Sequence, residues 1–143
     1  MIISTNFKQE ENMGSRGINA YRAQNVKHSS NEMIVLRLFE KSLVKLWEAH
    51  GAITSGQALK SVEPLQHCRQ IFFELLNALD HEASKNEGSD LTDRLQQLYL
   101  WIIKEISSAG FNNDTEKLEG VIRVVESIYS GFKEAFSNVN PDT

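Results

Sequence analysis

The sequence has one cysteine, two prolines and no apolar run long enough to cross a membrane. Because a disulfide needs two thiols, Cys68 cannot form one within the chain, and the composition suits a reducing compartment. Pro64 and Pro141 lie far apart, so long stretches are free of helix breakers. The longest apolar run, residues 98–103, is far shorter than the roughly 20 residues that span a bilayer.

The chain also lacks an excess of positive charge. It has 15 lysine and arginine residues against 19 aspartate and glutamate residues, and the two signs are interspersed. A nucleic-acid-binding protein normally has a clustered basic surface, which is not indicated here. The first seven residues have neither the basic region nor the apolar core of a secretory signal. We therefore expect a soluble cytoplasmic protein that binds no nucleic acid and does not insert stably into a membrane.

Two helices are predicted in the first half of the chain, each with large apolar residues at steps of three and four. The first opens at the segment from Ser29 to Glu32, which fits a capping box, and Gly51 and Gly56 mark its exit and the loop that follows. The second helix is recognisable from Pro64 onwards, because proline is tolerated in the first turn of a helix. The predicted buried stripes are Leu36, Phe39, Leu43, Leu46 and Trp47 on the first helix and Leu65, Cys68, Phe72, Leu75, Leu76 and Leu79 on the second.

Two more helices are predicted in the second half. Residues 86–90 form a turn in which Ser89 or Asp90 caps the third helix, which closes at residues 109–110. Residues 112–115 cap the fourth helix, and the polar sequence from Ser137 ends it. The predicted buried stripes are Leu91, Leu95, Leu98, Ile102 and Ile106 on the third helix and Leu118, Val121, Ile122, Val125, Ile128, Tyr129, Phe132 and Phe136 on the fourth.

These patterns predict an all-α protein. Helices of about 20 residues with short connections normally pack as antiparallel neighbours. We therefore expect an antiparallel four-helix bundle over residues 29–137, with room for a short extra N-terminal helix. Residues 1–28 are interpreted as a mobile N-terminal arm and residues 138–143 as a polar tail.

Residues that would support catalysis or cofactor binding are sparse. A di-iron carboxylate bundle needs Glu-x-x-His on two helices, and the sequence contains no such motif. The lone Glu63 and His67 pair and the cluster at residues 80–82, at the C-terminal end of the second helix, are interpreted as solvated surface groups. Cys68 is interpreted as a buried core residue, since neither a base nor an electropositive setting is indicated for a nucleophile. We expect no catalytic residues, no metal and no cofactor; a metal- or haem-binding bundle enzyme remains the alternative from another class.

Some large apolar residues fall outside the core stripes at 100° per residue. A bundle needs one buried face per helix, so these residues are candidates for a partner-facing surface. The alternative is that they are ordinary scattered surface residues, or that the N-terminal arm or a second copy covers them. The candidate partner-binding residues are Ile34, Leu38, Phe73, Leu100 and Trp101.

Several stretches of the chain follow a known family pattern in order and with matching spacing. Residues 21–26, Ser30 and residues 34–40 match Tyr-x4-Val, Ser-Pro and Leu-Tyr-Asp-Gly, and this pattern resembles that of the FliS family of flagellin export chaperones. The similarity continues in Leu79-Asp80, Gly88, residues 95–99, residues 109–114, residues 117–119 and residues 131–135, and it covers residues 18–136. The departures are Asn31 for Pro, Phe39 for Tyr, Glu40 for Asp, Lys41 for Gly, Gly110 for Asn and Phe132 for Trp.

The resemblance implies a function that the residues alone do not give. Such a protein would bind the disordered C-terminal segment of flagellin, prevent its premature polymerisation and deliver it to the flagellar export gate. It would act as a monomer or weak homodimer, and its N-terminal arm would lie over the binding surface. Ile18, Tyr21 and Val26 are the candidates for this displaceable cap. A four-helix adaptor or secretion chaperone for a different client remains an alternative.

Overall fold

The structure, a computed structural model, describes residues 30–138 of the chain. These residues form α-helices and one 3₁₀ helix, without a β-strand among them. The elements are α1 (Ser30–Thr54), the 3₁₀ helix (Ala58–Ser61), α2 (Val62–Asn77), α3 (His81–Asn86), α4 (Leu91–Asn112) and α5 (Thr115–Asn138). The predicted all-α fold with four long helices is confirmed. The predicted arm, an extra N-terminal helix and residues 139–143 lie outside the described residues.

The four long helices form an antiparallel bundle. Helix α1 packs against α2 and α5, and α4 packs against the same two helices. Two contacts give the relative direction of α1 and α5: His50 Nε2 lies 2.8 Å from Glu119 Oε2, and Tyr129 Oη donates to Glu40 Oε2 at 2.5 Å. Residue numbers rise along α1 as they fall along α5, so the two helices run in opposite directions.

Aromatic side chains from all four long helices meet at the centre of the bundle. Phe39 of α1 is fully buried. Its ring lies 6.1 Å from Phe72 of α2, 6.4 Å from Tyr99 of α4, and 6.5 and 5.5 Å from Tyr129 and Phe132 of α5. These are separations at which aromatic pairs attract each other. Phe39 therefore joins every long helix to one core.

The short helix α3 was not predicted. The sequence interpretation placed residues 80–82 at the end of the second helix, but Asp80 has the extended φ of −107° and begins a new helix. Its carboxylate accepts a hydrogen bond from the backbone N–H of Ala83 at 3.0 Å. Helix α3 then packs on α4, where His81 Nδ1 lies 3.4 Å from Asp93 Oδ1.

Two helices extend further towards the C-terminus than the sequence predicted. Helix α1 continues through Gly51 to Thr54, and α4 continues past residues 109–110 to Asn112. Asn113 then adopts the left-handed conformation with φ of 50°, which ends α4. This later end brings Phe111 onto the last turn of α4, at the end of the bundle where α2 begins.

Three residues predicted as core lie largely at the surface. Trp47 is 50% exposed, Leu91 is 44% exposed and Leu98 is 36% exposed. On α4 the buried positions follow alternating steps of four and three, and Tyr99 takes the inward place that was assigned to Leu98. The buried stripe of α4 is Leu95, Tyr99, Ile102, Ile106 and Ala109.

Candidate partner-binding surface

Large apolar side chains are exposed at several places on the bundle, and most of those described lie on α4 or near the start of α2. Single exposed apolar residues are normal, but contiguous ones mark surfaces for partners. Those exposed among the described residues are Val44, Trp47, Leu59, Val62, Phe73, Leu91, Leu98, Leu100, Trp101 and Phe111.

One set follows the surface between α2 and α4, which we call the α2–α4 groove. Arg69 of α2 and Ser107 of α4 line the same cleft and fix which sides of the two helices face each other. Phe73 is one turn beyond Arg69, and Leu100 is two turns before Ser107, so both lie on this side. Phe73 is 48% exposed and Leu100 is 46% exposed. The structure therefore brings these two predicted residues to one groove.

The groove opens, where α2 begins and α4 ends, into a cleft of about 550 Å³ that we call the end cleft. Leu59 of the 3₁₀ helix, Val62 of α2 and Phe111 of α4 line it. Leu59 is 88% exposed and Phe111 is 89% exposed, so both side chains are open to solvent. The end cleft thus extends the apolar surface that begins at Phe73 and Leu100.

A glycine allows the close packing at the floor of the end cleft. A Cβ atom added at Gly110 of α4 would lie 3.0 Å from Leu65 Cδ1 of α2. That separation is shorter than an ordinary carbon–carbon contact, so a side chain here would displace Leu65. Gly110, which replaces the asparagine of the FliS motif, therefore lets α2 and α4 approach each other beneath the exposed residues.

Among residues 30–138, one positive charge lies in the end cleft. It belongs to Arg69, which is partly buried there, and none of the described residues that line the cleft is acidic. Within residues 30–138, Arg69 makes no ion pair. The charge of Arg69 also affects the neighbouring Cys68. Burial raises the pKa of that thiol to about 12, and the positive charge of Arg69 opposes part of this rise.

A second apolar surface lies between α4 and α5, and we call it the α4–α5 groove. Leu91 of α4 and Gly131 of α5 both line its pocket of about 290 Å³. Leu98 lies midway between Leu91 and Glu105, and Glu105 Oε2 is 3.8 Å from Lys117 Nζ of α5. Leu98 therefore also faces α5. Trp101, 40% exposed and one turn further, lies on this side and not beside Leu100.

The two predicted residues of α1 lie on a third surface. Ile34 and Leu38 are partly buried and pack against the core. Leu38 lies one turn before Ser42, whose carbonyl oxygen is 3.8 Å from Cys68 Sγ of α2. Both residues thus lie on the α2 side of α1. The five predicted residues are therefore distributed over three surfaces, and their role in binding stays a prediction, as does that of Ile18, Tyr21 and Val26, which lie outside the described residues.

The sequence interpretation missed the residues of the end cleft. Leu59 lies outside any helical stripe, and Val62 precedes the proline at which the second helix was expected to be clear. Phe111 was placed beyond the end of the third helix, so it was never assigned to a helix face. A useful signal was available in Gly110, because a glycine inside a helix often marks close packing.

The buried Cys68 thiol is protonated near neutral pH because its pKa is raised to about 12, so it is a poor nucleophile. Among residues 30–138, no three histidine, cysteine or acidic side chains are grouped as metal ligands would be. No helix in this part of the chain has the length and apolar character needed to cross a membrane.

Comparison with known proteins agrees with the resemblance in the sequence. The family model described as Flagellar protein FliS matches residues 14–139. The flagellar secretion chaperone FliS of Campylobacter jejuni subsp. jejuni serotype O:6 is 27% identical over 120 residues, covering 84% of this chain and 91% of the relative. The flagellar secretion chaperone FliS of Vibrio cholerae serotype O1 is 26% identical over 114 residues, covering 80% of this chain and 78% of the relative.

A solved structure supports the same fold. The crystal structure of a flagellar chaperone from bacteria matches with a TM-score of 0.68 and 20% sequence identity, over 86% of this chain and 97% of the other. At this identity the match establishes the fold alone. The family match, which covers most of the chain, goes further: this chain belongs to the FliS family of flagellar secretion chaperones.

Proposed function

We propose that this protein is a cytoplasmic export chaperone that binds the disordered C-terminal segment of flagellin. It prevents premature polymerisation and delivers the client to the flagellar export apparatus, and it has no catalytic activity. The observation that carries the proposal is the exposed apolar surface that runs along the α2–α4 groove from Phe73 and Leu100 into the end cleft at Leu59 and Phe111. Family membership identifies the class of client.

The groove suits an amphipathic client helix. Two antiparallel helices leave a furrow between them, and a third helix fills it with residues at i, i+3, i+4 and i+7. Helix α4 has 22 residues, so the furrow is roughly 30 Å long at 1.5 Å per residue. A client helix of about five turns would cover both Leu100 and Phe111.

The mechanism follows from the disorder of the client. A disordered segment that folds on binding loses conformational entropy, which lowers the affinity for a given contact area. Reversible binding of this kind favours release at the export apparatus. While the client is bound, its apolar face is covered and is therefore unavailable for contacts with other flagellin molecules.

The remaining predicted residues have places in this proposal. A long client segment that leaves the α2–α4 groove meets Trp101 on the α4–α5 side, or Ile34 and Leu38 on the α1–α2 side. Ile18, Tyr21 and Val26 of the N-terminal arm compete with the client for this surface. We propose that the protein acts as a monomer or a weak homodimer, since the groove belongs to a single bundle.

Titration calorimetry of the full chain with the C-terminal segment of the host's flagellin tests the proposal. We expect saturable binding with a large negative heat-capacity change, because apolar surface is buried and the client folds. Leu100→Glu should weaken binding by about tenfold or more, since it brings a charge into the groove. Val44→Glu is the matched control, because Val44 is similarly exposed but lies on α1, away from the groove.

Two results would oppose the proposal. One is the absence of binding both in the full chain and in a variant without residues 1–28, because that deletion removes the whole arm, including Val26, and so excludes its competition. The other is an equal loss of affinity in Leu100→Glu and Val44→Glu, which would separate binding from the α2–α4 groove. A bundle that binds another flagellar protein would then be the better description.

A further inference from the structure

The end cleft has a charge that apolar binding does not explain. Arg69 is partly buried beside Val62 and Leu65, and no acidic side chain lines the cleft or pairs with it among residues 30–138. A guanidinium in partly apolar surroundings attracts an anion more strongly than one in water. Its planar donors match a carboxylate, which they bind through two parallel hydrogen bonds. The occupant that complements this cleft therefore brings apolar side chains and one carboxylate.

The position of the cleft indicates where that carboxylate lies in the client chain. The 3₁₀ helix contributes Ala58 and Leu59 to the cleft, and the turn after α4 contributes Asn113. These residues bound the α2–α4 groove at the end of the bundle, so a segment lying in the groove ends here or leaves the protein. A chain that ends here places its last side chains against Leu59 and Phe111 and its terminal carboxylate near Arg69.

Helix electrostatics favour the same direction. A helix carries partial negative charge at its C-terminus, and a cation near that end stabilises it. A client helix with its C-terminus at Arg69 runs parallel to α4, which ends at the cleft, and antiparallel to α2, which begins there. The helix dipole and the terminal carboxylate then both face Arg69.

We propose that the end cleft captures the C-terminal carboxylate of the client chain and that Arg69 is the residue that recognises it. This inference rests on the proposed function, because it takes the client to be a C-terminal segment bound as a helix. It adds a direction of docking and a recognition element that apolar contacts cannot supply, since apolar contacts alone fit either direction.

The test compares two synthetic peptides of the host flagellin's C-terminal segment, one with a free carboxylate and one with a terminal amide. Their affinities are measured with the full-length wild-type protein and with Arg69→Gln. Amidation should weaken binding to the wild type by about fivefold to tenfold, as for a partly buried ion pair. The same loss should appear with the free acid and Arg69→Gln, and amidation should then add nothing.

Arg123→Gln is the matched control, because it removes the same charge from an exposed site on α5 that does not line the cleft. It should retain the full difference between the two peptides. Salt gives a second readout: the difference should shrink as ionic strength rises, because screening weakens the ion pair. The peptide comparison needs no change in the protein, so it stays decisive if Arg69→Gln folds poorly.

Each contrary result has a separate meaning. If both peptides bind the wild type equally, the terminal carboxylate is not recognised and the inference is wrong, while the proposed function stands. If Arg69→Gln weakens binding but amidation does not, the anion is an acidic side chain of the client, which also overturns the inference. If neither peptide binds any variant, the proposed function fails and the inference falls with it.

Discussion

Truncating Phe39 should destabilise the bundle more than any change at the proposed binding surface. Phe39 is fully buried and contacts aromatic rings of α2, α4 and α5 at 5.5 to 6.5 Å. Replacement of a buried phenylalanine by alanine costs about 3–5 kcal/mol, of which the cavity forms a part. Large rings on several helices cannot collapse into the gap without moving those helices, so we expect about 4 kcal/mol for Phe39→Ala. For a chain of this length that corresponds to a fall in Tm of roughly 10–15 °C.

Urea denaturation followed by circular dichroism measures this free energy of unfolding. Phe111→Ala is the matched control: Phe111 is 89% exposed, so its truncation should change stability by no more than about 0.5 kcal/mol. If Phe39→Ala does not fold, Phe39→Leu provides a milder variant with an expected cost of about 1.5 kcal/mol. Equal stability of the Phe39 and Phe111 variants would refute the assignment of Phe39 to the centre of the core.

Three further predictions concern single groups. The hydrogen bond to Glu40 raises the pKa of Tyr129 to about 12, so in an absorbance titration Glu40→Gln should move one tyrosine towards its ordinary pKa of about 10. Because the pKa of Tyr129 is higher in the folded than in the unfolded chain, the stability contributed by the Tyr129–Glu40 pair is present below pH 10 and is lost as the pH rises towards 12. An unchanged titration curve in Glu40→Gln would contradict this role of Glu40. Burial raises the pKa of Cys68 to about 12, so in the native protein near pH 8 it should react with a thiol reagent about 100-fold or more slowly than a free thiol. In denaturant it should react at the ordinary rate. Rapid labelling of the native protein would show that the thiol is accessible. Asp80→Ala should cost about 1 kcal/mol in thermal unfolding and Asp80→Asn much less, because the side chain caps α3 through the N–H of Ala83; equal losses would exclude capping as the cause.

The long helices could be predicted because apolar periodicity and capping residues agree over many turns. Helix α5, the fourth predicted helix, is the clearest case. Each of its predicted core residues is buried or packs against the core. Shorter signals failed. Asp80 follows Leu79 without a glycine or proline, so no helix breaker separates α2 from α3 in the sequence. The interruption depends on the backbone of Asp80 and its bond to Ala83, which only the folded chain displays.

The errors on α4 have a different cause. Leu95 is followed by large apolar residues at both the third and the fourth position, Leu98 and Tyr99. Both steps are compatible with a helix, and hydropathy favours Leu98. The bundle buries Tyr99 because Phe39 and Phe72 place their rings within 6.4 and 5.8 Å of it. Burial of Tyr99 instead of Leu98 depends on the neighbouring helices, so it cannot be predicted from the periodicity of α4 alone.

The candidate surface could be predicted only in part. A helical wheel shows correctly that Phe73 and Leu100 point away from their own core stripes, and both are exposed. It cannot show that they face the same groove, because this depends on which helices are neighbours. Nor does it distinguish Trp101, which lies on the other side of α4. Prediction of the end cleft requires the packing of three elements, since the 3₁₀ helix, α2 and α4 contribute Leu59, Arg69 and Phe111 respectively.

In the proposed complex, affinity and direction of docking depend on different residues, and this separation follows from the physics of the two contacts. Burial of Phe73, Leu100 and Phe111 is non-directional and gives an attraction proportional to the apolar area removed from water. The single cation at Arg69 adds less free energy but acts at one end of the groove only. Leu100→Glu should therefore weaken both peptide forms, whereas Arg69→Gln should abolish the preference for the free carboxylate. A chaperone arranged in this way holds its client in one direction without binding it so tightly that export is prevented.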